Sequence, residues 1–151
     1  MKERLPQSRF YQKAPALVDQ LMAMGEIPAD SALKPELVHL VQLRASQINN
    51  CGFCQHMHAD ELRKDGVHQS LLDVLPAWRE LDCFTKQEQA ALEWTEALTR
   101  LNPAGIPNDT YLGVLDTLGE DALLDLTRHI LAINSWNRIS VALQFQPDIK
   151  R

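Results

Sequence analysis

Residues 48–58, INNCGFCQHMH, place two cysteines three apart and a histidine four residues beyond the second. Such a pair occurs in redox enzymes, in half zinc sites and, as two small hydrophobes, in ordinary protein cores. The surrounding pattern decides the fold. A thioredoxin-like pair follows a strand and opens a helix. Here apolar residues recur at helical spacing on both sides, with no alternating strand pattern, so the scaffold reads as all-α.

Working outward, Pro35 suits a first helical turn, and Leu37, Val41, Leu43 and Ile48 then keep one side apolar as the helix runs to Cys51. From about Cys51 the pattern continues through Met57 and Leu62 to a stop at Asp65-Gly66, which puts the cysteine pair at or just inside a helix start. Upstream, residues 14–24 carry Leu17, Leu21 and Met24 on one face and stop at Gly25, after an irregular start and before a connector over 27–33. Downstream, a helix over 69–80 turns Leu71, Leu72, Leu75 and Trp78 inward, with Pro76 breaking or kinking it. Thr85 followed by Glu88 is a capping-box signature for a helix over 86–101. NPAGIP makes a loop, a short helix over 108–118 ends at Gly119, and a long one covers 120 to about 145. The expectation is about six to seven helices in a single domain over 1–151, without repeat or linker.

At 151 residues, with 45% hydrophobic and 23% charged residues, the chain has enough apolar content to build its own core without staples. Its net charge is -5 and its Lys and Arg are scattered, so it lacks the basic stripe of a nucleic-acid binder. The opening MKERLPQSRFYQKAP lacks the apolar centre of a signal peptide, and no apolar run reaches bilayer-spanning length. A cytoplasmic location and no membrane contact are expected. Three cysteines, Cys51, Cys54 and Cys83, are an odd count that argues against a structural disulfide framework.

On a helix, Cys51 and Cys54 share a face and His58 lies one turn beyond Cys54. A thiol of ordinary pKa near 8.5 is only about 3% ionised at pH 7, so a reactive one needs help. The amides and dipole of the helix start favour Cys51, whereas the imidazole favours Cys54. Whichever attacks, the other can close a disulfide. A zinc site would need His58 or His56 and then Cys83 or His68 as further ligands, and burial as plain core residues is the blander alternative.

The run LVQLRASQINNCGFCQHMHADELRKDG at 40–66 resembles the signature of the alkylhydroperoxidase D family, within the carboxymuconolactone decarboxylase-like superfamily. LPAWRE (75–80), ALEWTEALT (91–99) and INSWNRISVA (133–142) are similar to its other recurring blocks, so the resemblance covers roughly 15–145. It implies an all-helical fold assembling into homo-oligomers, with peroxidase or disulfide-reductase activity. It also implies that Cys54, activated by His58, reacts with a hydroperoxide and that Cys51 resolves the product to a disulfide. No bound cofactor is implied. An external thiol or lipoyl-type dithiol would act as reductant.

The family's relay glutamate lies twelve residues before the first cysteine, where this chain has His39. Either His39 or Glu36, one turn earlier, would take its place. Trp78, Trp94 and Trp136 read as core or subunit-contact residues. Ser46 and Asn49 read as shaping the junction between helices, and Asn134, Asn137 and Arg138 as hydrogen-bonding groups without a catalytic part. Two other functions use the same residues less fully: a non-catalytic redox-responsive stress or interaction protein, and lactone decarboxylation, which needs no CxxC pair.

Overall fold

Helix boundaries fall where the local chemistry puts them. The computed structural model describes residues 3–151. Among these the chain forms α1 (Gln7–Lys13), α2 (Pro15–Gly25), α3 (Pro35–Ile48), α4 (Gly52–Lys64), α5 (Gln69–Val74), a 3-10 segment (Leu75–Glu80), α6 (Lys86–Thr99), α7 (Asn108–Leu118) and α8 (Glu120–Leu143), and no strand. Prolines open α2 and α3, where the missing N–H would have had no intrahelical partner anyway. The capping box at α6 is complete: Glu88 N–H donates to Thr85 Oγ1 at 3.2 Å, and Thr85 N–H donates to Glu88 Oε2 at 2.7 Å. Gly119, at φ 83°, adopts a backbone conformation that side chains disfavour and turns α7 directly into α8.

The all-α expectation holds, with eight α-helices among the described residues where six to seven were expected. The additional helix is α1, within the stretch read as irregular; Met1 and Lys2 of that stretch lie outside the described residues. It buries only Phe10, too little for a period to emerge, and ends at Ala14 because a residue before proline is held out of the helical region. The stretch 69–80 is not one helix. Pro76 removes a helical N–H, and the chain tightens into the 3-10 segment. On α2 the inward residues are Val18 and Leu21, while Leu17 is exposed. The ends of α6 and α8 come two residues earlier than expected.

The middle helix, α3, is buried on nearly every side from Leu40 to Ser46, since α4, α6 and α8 all pack against it. Val38 and Val41 join Trp94, Leu126 and Ile130 in one apolar cluster, while Leu40 and Leu43 meet Leu62, Leu75, Trp78 and Leu92 in a second. Burying a Leu or Ile side chain contributes about 1.5–3 kcal/mol, so these two clusters fix α3 against its neighbours. Within this apolar setting Arg44 is neutralised by Glu96, which accepts from Arg44 Nε at 2.9 Å and from Trp78 Nε1 at 2.9 Å and also binds Arg79. Burial alone would raise the Glu96 pKa, but these donors outweigh it and hold the carboxyl below its ordinary value. Thus Trp78 and Trp94 are core residues, and α3 delivers its C-terminal end to the cysteines on a fixed support.

Candidate active site

The turn between α3 and α4 is built from polar residues tied to α8. Asn50 takes φ 53°, a left-handed conformation that Asn tolerates better than most residues, and Cys51 N–H donates to Ser46 O at 2.9 Å. Ser46 Oγ donates to Gln42 O at 2.7 Å and accepts from Asn137 Nδ2 at 3.0 Å. Asn49 Nδ2 donates to Asn134 Oδ1 and Asn137 Oδ1, each at 3.0 Å, and Arg138 Nη1 donates to Asn134 Oδ1 at 2.9 Å. These are the junction-shaping and hydrogen-bonding roles their residue types suggested. The network satisfies buried polar groups and fixes where α4 begins.

Cys51 is the N-cap of α4, and its Sγ accepts from Cys54 N–H at 3.3 Å. Cys51 and Cys54 are joined as a disulfide, each about 1% exposed, against Ala45 and Ile133. Cys54 lines a cavity of about 560 Å³ whose wall also includes His58, Gln42, Phe53, Ile133 and Trp136; Cys51 is not in that wall. The two sulfurs, symmetric in the sequence, are therefore unequal: one caps the helix and the other borders open space.

His58 is buried, and its Nδ1–H donates to Glu61 Oε2 at 2.7 Å. Burial pushes the Glu61 pKa up, but the His58 hydrogen bond and the charges of His58 and His39 outweigh it, leaving the carboxyl below its ordinary value. An ionised Glu61 accepts only, so it fixes the proton on Nδ1 and leaves Nε2 without one. That Nε2 is buried without a hydrogen-bond partner.

His39 stacks near His58 with ring centroids 6.4 Å apart. Its Nδ1–H donates to Asp65 Oδ2 at 2.7 Å, and its Nε2 lies 3.8 Å from Glu61 Oε2. Glu36 does not join this group. It is exposed on the first turn of α3, toward the end of the helix away from the cysteines, and the carboxylate beside His58 is Glu61. Glu61 was available to sequence reasoning as the i+3 neighbour of His58, a spacing at which helical side chains meet. Cys83 is exposed and free. Among the described residues no group of three His, Cys, Asp or Glu side chains is arranged to hold a metal ion.

His129, fully buried on α8, accepts at Nε2 from Arg128 Nη2 at 3.1 Å. Burial, with the charge of Arg128 and a smaller push from His39 against the opposing Asp125, lowers its pKa to about 4. It is a neutral core group.

An all-helical scaffold thus presents a CxxC pair at a helix start, with a histidine one turn on. The profile of the Carboxymuconolactone decarboxylase family matches residues 15–97, so the chain belongs to that family, as an alkylhydroperoxidase D-like member. The uncharacterised protein YdfG of Bacillus subtilis (strain 168) is 35% identical over 134 residues, covering 89% of this chain and 91% of that relative. A crystal structure from Agrobacterium tumefaciens superposes with a TM-score of 0.89 at 33% identity, over 99% of this chain and 100% of the other. It is of a protein of unknown function, proposed to be the antioxidant defence protein AhpD. A peroxidase-related protein of Silicibacter sp. TM1040 shares the fold at a TM-score of 0.81, with 18% identity, covering 93% of this chain and 74% of that one. Among the described residues no helix is long and apolar enough to cross a membrane.

Proposed function

We propose that this protein is a thiol-dependent hydroperoxidase in which Cys54 attacks, Cys51 resolves and His58 moves the proton. The observation that carries this reading is the unequal placement of the two sulfurs: Cys54 and His58 share a cavity wall, and Cys51 lies outside it. In the reduced enzyme His58 Nε2 takes the Cys54 thiol proton, while Glu61 supports the resulting imidazolium through Nδ1. The thiolate attacks the terminal oxygen of a hydroperoxide, the O–O bond breaks, and the alkoxide leaves as an alcohol with the proton from Nε2. Cys54 sulfenic acid then condenses with the Cys51 thiol, forming the disulfide and releasing water. An external thiol or lipoyl-type dithiol supplies the two electrons that restore the pair.

His39 stands where the family has its relay glutamate, hydrogen-bonded to Asp65 and 3.8 Å from Glu61, and serves as a second acid–base group beside His58. The apolar walls favour an organic hydroperoxide, and assembly into homo-oligomers accompanies the activity in this family. The test is steady-state consumption of cumene hydroperoxide with dihydrolipoamide or dithiothreitol as reductant. Wild type turns over, and Cys54→Ser and Cys51→Ser do not. Loss of two thiols per peroxide without turnover would instead identify a redox-responsive protein, and full activity in Cys54→Ser would remove the assignment.

A further inference from the structure

Gln42 is the polar anomaly of the buried half of α3. Its neighbours Arg44 and Ser46 are paired, through Glu96 and through Gln42 O and Asn137. The Gln42 side chain is about nine-tenths buried, yet its Oε1 has no hydrogen-bond partner. Among the described residues two other buried side-chain polar atoms share that condition, His58 Nε2 and His129 Nδ1. Gln42 and His58 wall the same cavity, together with Cys54. Much of the remaining wall is apolar, including Leu21, Phe53, Ile133 and Trp136. Buried amides are ordinarily satisfied, and one left unpaired in a cavity wall that Cys54 also lines fits a ligand that brings its own donor.

We propose that Gln42 is a substrate-contact residue, whose carboxamide oxygen accepts a hydrogen bond from the terminal O–H of the hydroperoxide. The inference rests on the peroxidase reading above and adds a residue to it. The two unpaired atoms divide the –OOH group between them. Gln42 Oε1 holds the terminal O–H, the oxygen that Cys54 attacks, and His58 Nε2–H delivers its proton to the inner oxygen as the O–O bond breaks. The balance is one thiolate, one hydroperoxide and one imidazolium giving one sulfenic acid, one alcohol and one neutral imidazole. After the step the sulfenic O–H keeps the same acceptor, which holds the intermediate until Cys51 expels that oxygen as water. Holding one end of the O–O bond aligns it with the incoming sulfur, so the contact acts on the oxidation step and not on thiol ionisation.

The experiment is a single-turnover measurement of thiol loss with cumene hydroperoxide on reduced protein, beside the pH profile of Cys54 alkylation by iodoacetamide, which needs no peroxide contact. Gln42→Met keeps an unbranched side chain of similar length without the acceptor, and Gln42→Asn keeps a carboxamide on a shorter stem. Gln42→Met is expected to slow oxidation about 10- to 100-fold, the scale of a lost orienting hydrogen bond, with the alkylation profile and melting cooperativity unchanged. Gln42→Asn should recover part of that loss. Oxidation within about 3-fold of wild type in a folded Gln42→Met overturns the inference while leaving the peroxidase reading intact, and so does an equal fall in alkylation, which marks a structural role. A wild type that does not react with the hydroperoxide at all removes both.

Discussion

His129 gives the fold a pH dependence whose size follows from its surroundings. In the folded protein it stays neutral down to about pH 4, because burial and the Arg128 charge oppose its protonation. The unfolded chain takes up that proton near pH 6.5. Below 6.5 the unfolded state therefore binds more protons, and stability falls with falling pH until the folded-state value is passed. Between pH 7.5 and pH 5 the His129 contribution amounts to a loss of about 2 kcal/mol. The carboxyls held low by their partners, Glu61, Glu96 and Asp125, act in the same direction, and their stabilisation is lost as pH falls from their ordinary toward their lowered values, below this window. Urea unfolding at both pH values, on wild type and His129→Gln, isolates the term, since every other titrating group is common to both. The wild-type loss should exceed that of His129→Gln by about 2 kcal/mol. Equal losses in the two proteins would refute the argument that burial keeps this imidazole neutral.

Other outcomes follow from single contacts at the site. Glu61→Gln keeps the size of the partner of His58 but removes its negative charge, so the iodoacetamide profile of Cys54 should move to higher pH by about one unit with little change in melting temperature. An unshifted profile would separate Glu61 from thiol activation. Asn137→Ala strips Ser46 Oγ and the half-buried Asn49 Nδ2 of a partner in a network centred on the fully buried Asn137 and Ser46, and urea unfolding should show a loss of about 1–3 kcal/mol. A change below about 0.5 kcal/mol would mean the network is not what holds the α3–α4 turn.

The helices that carry long apolar stripes or explicit end signals were legible in the sequence: α3 behind Pro35, α6 behind Thr85 and Glu88, and the α7–α8 corner at Gly119. Helix α1 was not, because its one buried residue, Phe10, finds its partners Val18 and Phe145 only in three dimensions. At the site, the spacing of Cys51, Cys54 and His58 could be read directly, since all three lie within the first two turns of one helix or at its cap. Which carboxylate serves the histidine could not be read from α3 alone. His39 and Glu36 lie on that helix, whereas Glu61 meets His58 within α4 itself; only the meeting of Asp65 with His39 depends on how α4 packs across α3. The importance of Gln42 was equally hidden. A glutamine in a helical pattern reads as solvent-facing, and only the packing of α4 and α8 around α3 encloses it.

The central claim is that Cys51 and Cys54 act as a dithiol spent by peroxide and restored by thiol. Titration of free thiols in the reduced, denatured protein before and after one equivalent of cumene hydroperoxide tests it most directly, followed in the same sample by turnover on adding dihydrolipoamide. The prediction is a fall from three thiols to one, Cys83, and continuing peroxide consumption once the dithiol is present. Three thiols remaining after the peroxide is added would contradict it.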